Sequence, residues 1–83
     1  MANLIKLLGS EIALSTANTV GSAAVVRINN NSGGAVVITR ANTGGTIGTC
    51  TMNNNEVGYF EKAPADTIAS NVAVRAVSVA FRH

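Results

Sequence analysis

The chain of 83 residues has few of the residues that stabilise very small domains: one cysteine, one histidine and no tryptophan. One cysteine excludes an internal disulfide, and one histidine excludes the usual zinc sites built from four Cys and His ligands. A domain of this size buries a modest core and often depends on a disulfide, a metal or a partner subunit. We therefore expect no metal or other cofactor, and a homo-oligomer.

Charge is scarce as well, because charged residues make up 12% of the chain, where roughly 25% is usual for globular domains. The arginines stand singly, at Arg27, Arg40, Arg75 and Arg82, and do not form the basic cluster of a nucleic-acid binder. Surface polarity must then come from Asn, Thr and Ser. Such a neutral surface suits contact with other proteins, although an ordinary Thr- and Asn-rich β protein has the same composition. We expect no nucleic-acid partner.

Long apolar runs are missing too. No stretch of about 18 apolar residues is present, so we expect no membrane span. The apolar cluster of residues 1–8 is too short for a signal peptide. With Cys50 as the lone cysteine, we expect synthesis in a reducing cytoplasm.

Clusters of Asn and Gly are frequent, at residues 29–34, 41–45 and 53–55, and such clusters favour tight turns. They separate short runs rich in β-branched residues, spaced as in small sandwiches and barrels. We predict one all-β domain over residues 1–83, a small antiparallel β-sandwich or barrel of about seven short strands. The predicted strands cover residues 4–8, 11–14, 23–29, 36–41, 46–52, 57–62 and 72–82.

One segment departs from this pattern. Pro64 suits a first helical position and Asp66 suits a first helical turn, so we predict one helical turn near residues 64–70. The following run has Val77, Val79 and Phe81 on one face. Other strands, such as the one containing Val37, are apolar on both faces, and we expect a neighbouring subunit to cover their second face.

No pattern of catalytic residues is present. Cys50 and His83 lack a third group to orient the imidazole, and free cysteine packs as a small apolar residue, so we predict a buried, structural Cys50. Tyr59 and Phe60 are neighbours and face opposite sides of a strand, so they cannot form one stacking platform. We predict that one belongs to the core and the other is exposed. The chain is expected to be no enzyme, with no catalytic residue.

Binding to other proteins remains as the expected function class. Loops lie on the surface and often carry contacts, and a free terminal strand can add to a neighbour's sheet edge. The predicted contact residues are Leu4, Ile5 and Leu7 of the first strand, and Asn30, Asn31, Asn42 and Asn54 of the loops.

Residues 1–8, 61–70 and 74–82, together with the Gly/Asn hairpins, resemble the small virion structural proteins of tailed bacteriophages, especially marine and cyanobacterial phages. Such families include capsid decoration (cement) proteins, small β-sandwiches or barrels that often sit on the shell as trimers. The resemblance implies a non-enzymatic protein that is made in the host cytoplasm, binds the major capsid protein or other virion proteins at the capsid surface, and stabilises the shell. It carries no functional motif.

Two alternatives stay open. The first is another virion component, a neck, tail or fibre-attachment module, which would be present in few copies. The second is a small β-barrel that binds nucleic acid or carbohydrate, which would require a basic or aromatic patch.

Overall fold

The computed structural model describes residues 4–82, which form eight strands in two antiparallel sheets and contain no helix. The predicted all-β fold is confirmed. The strands are β1 (Leu4–Leu7), β2 (Ile12–Leu14), β3 (Val25–Asn29), β4 (Val36–Asn42), β5 (Gly45–Met52), β6 (Val57–Glu61), β7 (Thr67–Ser70) and β8 (Val74–Arg82).

The first sheet is organised around β8. One edge of β8 pairs with β3, and β3 pairs in turn with β6. The other edge of β8 pairs with β1 near its C-terminal end and with β2 near its start. The N-terminal segment therefore runs along a single edge of β8 in two short pieces.

The second sheet has the order β5-β4-β7. The segment after β2 crosses to the outer edge of β7, where Asn18 and Ile68 exchange two backbone hydrogen bonds of 3.0 and 2.9 Å. The amide of Ser70 also donates to the carbonyl of Ser15, at 3.1 Å. This connector joins the two sheets and closes that side of the sandwich, so β5 and β6 border the opposite side.

The core lies between the two sheets. Alternation places Val26 and Ile28 of β3 opposite Val36 and Ile38 of β4, and each of these is at most 2% exposed. Small β-branched side chains fit such a thin interior, because they pack closely on a pleated surface. The other members of the cluster are Leu14, Val20, Ala23, Met52, Ile68, Val74 and Ala76.

The predicted helical turn near residues 64–70 is wrong. Residues 64–65 form a tight turn, closed by the amide of Asp66 donating to the carbonyl of Ala63 at 2.9 Å. The chain then continues as β7, whose alternating burial places Ile68 in the core. The free edge of β4 offers this segment a full ladder of hydrogen bonds, which outweighs one isolated helical turn.

Strand β8 is buried on both faces. Val74, Ala76 and Ser78 are on the core side, while Val77 and Val79 are on the other face and are only 4% and 2% exposed. The predicted shared face of Val77 and Val79 is therefore not the core face; the side chain of Phe81 lies outside the described residues. By contrast, Val37 on the outer face of β4 is 39% exposed.

A left-handed turn precedes β3. Val20, Gly21 and Ser22 have φ angles of 54°, 68° and 56°, and the amide of Ala23 donates to the carbonyl of Thr19 at 3.2 Å. Positive φ is costly for valine, a β-branched residue. Its side chain is 5% exposed, so burial of Val20 in the core offsets this strain.

Candidate partner-binding surfaces

The first candidate surface is β1, whose apolar side chains face solvent. Ile5 and Leu7, here called the β1 stripe, are 41% and 69% exposed. They lie on the face of the first sheet that points away from the core, where they border a cleft of about 400 Å³ above Val77. The cleft has an apolar floor and is open to solvent, and the contact role of Ile5 and Leu7 stays a prediction.

Three charged groups lie next to the β1 stripe. The Glu11 carboxylate accepts a hydrogen bond from Arg75 Nε at 3.1 Å, and its second oxygen lies 3.9 Å from Arg27 Nη1. The arginines that are separate in sequence therefore meet around one carboxylate. Because these groups are partly exposed, each pair stabilises the fold by less than about 1 kcal/mol.

Asn30 is not the surface residue that its loop position predicts, because it is 0% exposed. Its amide nitrogen donates to the carbonyls of Gly34, Met52 and Asn53 at 2.9, 3.1 and 3.0 Å. Its amide oxygen accepts from the backbone amide and the hydroxyl of Ser32, at 3.1 and 2.7 Å. Asn30 thus connects two loops inside the protein. The prediction that its side chain contacts a partner is wrong, because the side chain is buried.

The other predicted loop residues, Asn31, Asn42 and Asn54, are exposed. Asn42 accepts a hydrogen bond from the amide of Gly44 at 2.8 Å, and Asn54 accepts one from the amide of Gly33 at 3.1 Å. Their side-chain oxygens therefore shape the loops, which are open to a partner. The side chain of Leu4 lies outside the described residues.

The second candidate surface is the edge of the sandwich at β5. Every residue of this strand except Met52 is exposed. The prediction of a buried Cys50 is wrong, because its side chain is exposed. Cys50 pairs with the buried Ile38 of β4, and it therefore points to the core side. It remains open because the two sheets separate there.

A cleft of about 180 Å³ occupies this opening. Its lining includes Ile38 and Ile68 of the second sheet, Phe60 of β6, and Gly48 and Cys50 of β5. Pockets for small-molecule ligands usually measure about 300–1,000 Å³. This cleft is smaller and mostly apolar, and it has the size for one or two side chains of a protein partner.

An ion pair lies at the edge of the same cleft. Asp66 Oδ2 accepts hydrogen bonds from Arg40 Nε and Nη2, at 3.1 and 2.8 Å. The guanidinium of Arg40 is the main reason that the pKa of Asp66 is lowered. Lys62 is 3% exposed, and burial lowers its pKa. Asp66 was predicted to lie in a first helical turn; instead, Asp66 and Arg40 connect the turn before β7 to β4.

The prediction for the aromatic pair on β6 is confirmed. Phe60 is half-buried and packs against the core, whereas Tyr59 is 42% exposed on the opposite face of the sheet. Adjacent strand residues face opposite sides of a sheet. Tyr59 and Phe60 therefore do not form a flat aromatic platform together.

Two classes of site are not found in residues 4–82. This part of the chain contains no group of three or more His, Cys, Asp or Glu side chains arranged to hold a metal ion. It also has no helix of the length and hydrophobicity needed to cross a membrane. Comparison with protein-family models, with curated proteins and with solved structures finds no match for this chain.

Proposed function

We propose that this chain is a non-enzymatic structural protein of a bacteriophage virion, a capsid decoration (cement) protein that binds the outer surface of the shell and stabilises it. Its partners are the major capsid protein or other virion proteins, and a second copy of itself. The resemblance that suggests this function also implies a trimer. Each contact between the protein and the shell can be weak, because an oligomer multiplies it by effective concentration.

The observation that carries the proposal is the β1 stripe. Leu7 keeps 69% of its surface in water, although burying a leucine side chain stabilises by about 1.5–3 kcal/mol. Contiguous exposed apolar groups of this kind mark protein interaction sites. Because β1 pairs only with β8 within residues 4–82, its other edge offers backbone donors and acceptors to the edge of a neighbouring sheet.

The direct test is to locate and count the protein in purified particles. A decoration protein is expected at the shell surface in hundreds of copies, at a simple ratio to the major shell protein. A few copies at the neck or tail would support the alternative virion role, and absence from particles would contradict the proposal.

A pair of variants tests the surface. Replacing both Ile5 and Leu7 with Thr keeps β propensity but removes the apolar stripe, and we expect at least tenfold weaker binding to particles that lack the protein, about 1.4 kcal/mol. Val72→Thr is the matched control, because Val72 is 46% exposed in the loop before β8. Equal binding by both variants, with both folded by circular dichroism, would show that the β1 stripe is not the contact.

A further inference from the structure

Beyond a bulge near its start, the edge of β5 lacks the features that protect sheet edges. Native proteins guard such edges with charged side chains, proline, short strands or a covering segment. Of the other border strands, β1 contains Lys6, β6 contains Glu61 and β2 has three residues. The eight residues of β5, which are GTIGTCTM, include no charge and no proline. In residues 4–82 only β4 pairs with this strand.

The absence of charge identifies the kind of partner. In a two-fold contact each residue meets a residue of the same strand, so a charged edge places like charges close together. The β5 edge carries no such penalty, and its exposed Thr49 and Thr51 can pair across strands favourably. An uncharged strand that is exposed on both faces is therefore suited to a second copy of itself.

The ladder with β4 indicates the register. A bulge interrupts the pairing between Arg40 and Ala41, so the regular part of β5 is Gly48–Met52, which is centred on Cys50. We propose that two copies of the chain associate through antiparallel pairing of their β5 edges, with the two-fold axis at Cys50. This inference deepens the oligomeric part of the proposed function, because it identifies the surface that joins the copies.

The pairing would also cover the cleft. Gly48 and Cys50 border this cleft on the core side of β5, and a two-fold contact makes the second sheets of both copies continuous. The clefts of the two copies then open toward each other instead of toward water. Because the contact is two-fold, it gives an even number of copies: a dimer, or a pair of trimers if the three-fold assembly also forms.

The unaltered protein supplies the first test. Directly opposite residues of antiparallel strands have Cα atoms about 4.5–5.5 Å apart, which is within reach of a disulfide. Oxidation of the wild-type chain by diamide at micromolar concentration should link Cys50 to the partner's Cys50. We expect this dimer to form at least tenfold faster than with the control variant that combines Cys50→Ser with Val72→Cys.

Charge variants provide the second test, without a covalent bond. In the proposed register Thr49 faces the partner's Thr51. Replacing both Thr49 and Thr51 with Glu places like charges opposite each other, and we expect at least tenfold weaker association, about 1.4 kcal/mol. The matched variant combines Thr49→Glu with Thr51→Lys, which places opposite charges together, and it should associate as well as the wild type.

The outcomes separate this inference from the proposed function. Native mass measurement that shows a monomer, or a trimer alone, overturns the β5 contact even if the protein decorates the shell. An even-numbered species without a Cys50 cross-link places the contact elsewhere and also overturns it. Conversely, a cross-linked, charge-sensitive dimer from a protein that is absent from particles would support the β5 contact and reject the virion role.

Discussion

Replacing Asn30 with Asp removes a donor from the most connected side chain of the fold. The amide nitrogen faces three backbone carbonyls at 2.9–3.1 Å, and two hydrogens serve all three, so one hydrogen bond is shared. A carboxylate oxygen at the same place has no hydrogen to donate and faces three partial negative charges. The substitution therefore preserves shape while inverting the chemistry of one atom.

The expected loss follows from the burial of the three carbonyls. The carbonyl of Met52 belongs to a buried contact, while those of Gly34 and Asn53 are partly buried. A buried acceptor left without a partner costs about 1–3 kcal/mol, and a partly hydrated one costs less. The sum is about 2–5 kcal/mol, a large part of the roughly 4–12 kcal/mol that 83 residues typically provide.

Urea denaturation measures this loss through the midpoint, at an unchanged slope. Asn31→Asp is the matched control, because Asn31 is exposed. The free energy of unfolding of this variant should differ from that of the wild type by less than about 0.5 kcal/mol. The deficit of Asn30→Asp should be smaller at pH 4 than at pH 7, since burial raises the pKa of the introduced carboxyl and stability is then lost as pH rises. Equal, pH-independent effects of the two variants would refute the proposed network.

Three further predictions concern the same molecule. The pKa of Asp66 is lowered in the folded protein, so the ionised carboxylate stabilises the fold above the ordinary carboxyl pKa, and this effect is lost as pH falls. The difference in unfolding free energy between wild type and Asp66→Asn should therefore be largest near neutral pH and shrink below about pH 4. Ser22 has a φ of 56°, so Ser22→Gly should raise the free energy of unfolding by about 0.5–1 kcal/mol in a thermal unfolding experiment, because glycine adopts the left-handed backbone without strain. Ser22→Ala should give no such gain. Binding to the particle should change by less than about tenfold between 0.05 and 0.5 M salt, because apolar and neutral contacts are not screened; steep weakening in a co-sedimentation assay would contradict a neutral interface.

Seven of the eight strands follow from local sequence patterns. Their centres lie where β-branched runs alternate between Asn/Gly turns, because such turns and strands depend on neighbouring residues. Strand β7 was missed, since Pro64 and Asp66 have the local form of a helix start. Asp66 instead pairs with Arg40, which is 26 residues away, and no local pattern contains that contact.

Positions within the candidate surfaces were less predictable than the strands. Asn30 and Asn31 are adjacent and identical in type, yet the first is 0% exposed and the second is exposed. The difference comes from the carbonyls of residues 52 and 53, which reach Asn30 from another loop. Cys50 likewise lies on the core side of β5 but remains exposed, because its burial depends on how far apart the two sheets are.

Low charge content and the uncovered edge of β5 are connected physically. Arg40 and Lys62 lie beside Asp66, while Arg27 and Arg75 surround Glu11. The single proline is used in the turn before β7. Of the cations in residues 4–82 only Lys6 lies on a border strand, and the residues of β5 include no charge and no proline. An unguarded edge lowers its free energy by pairing, and contact with another protein surface is therefore the physical alternative to protection by charge.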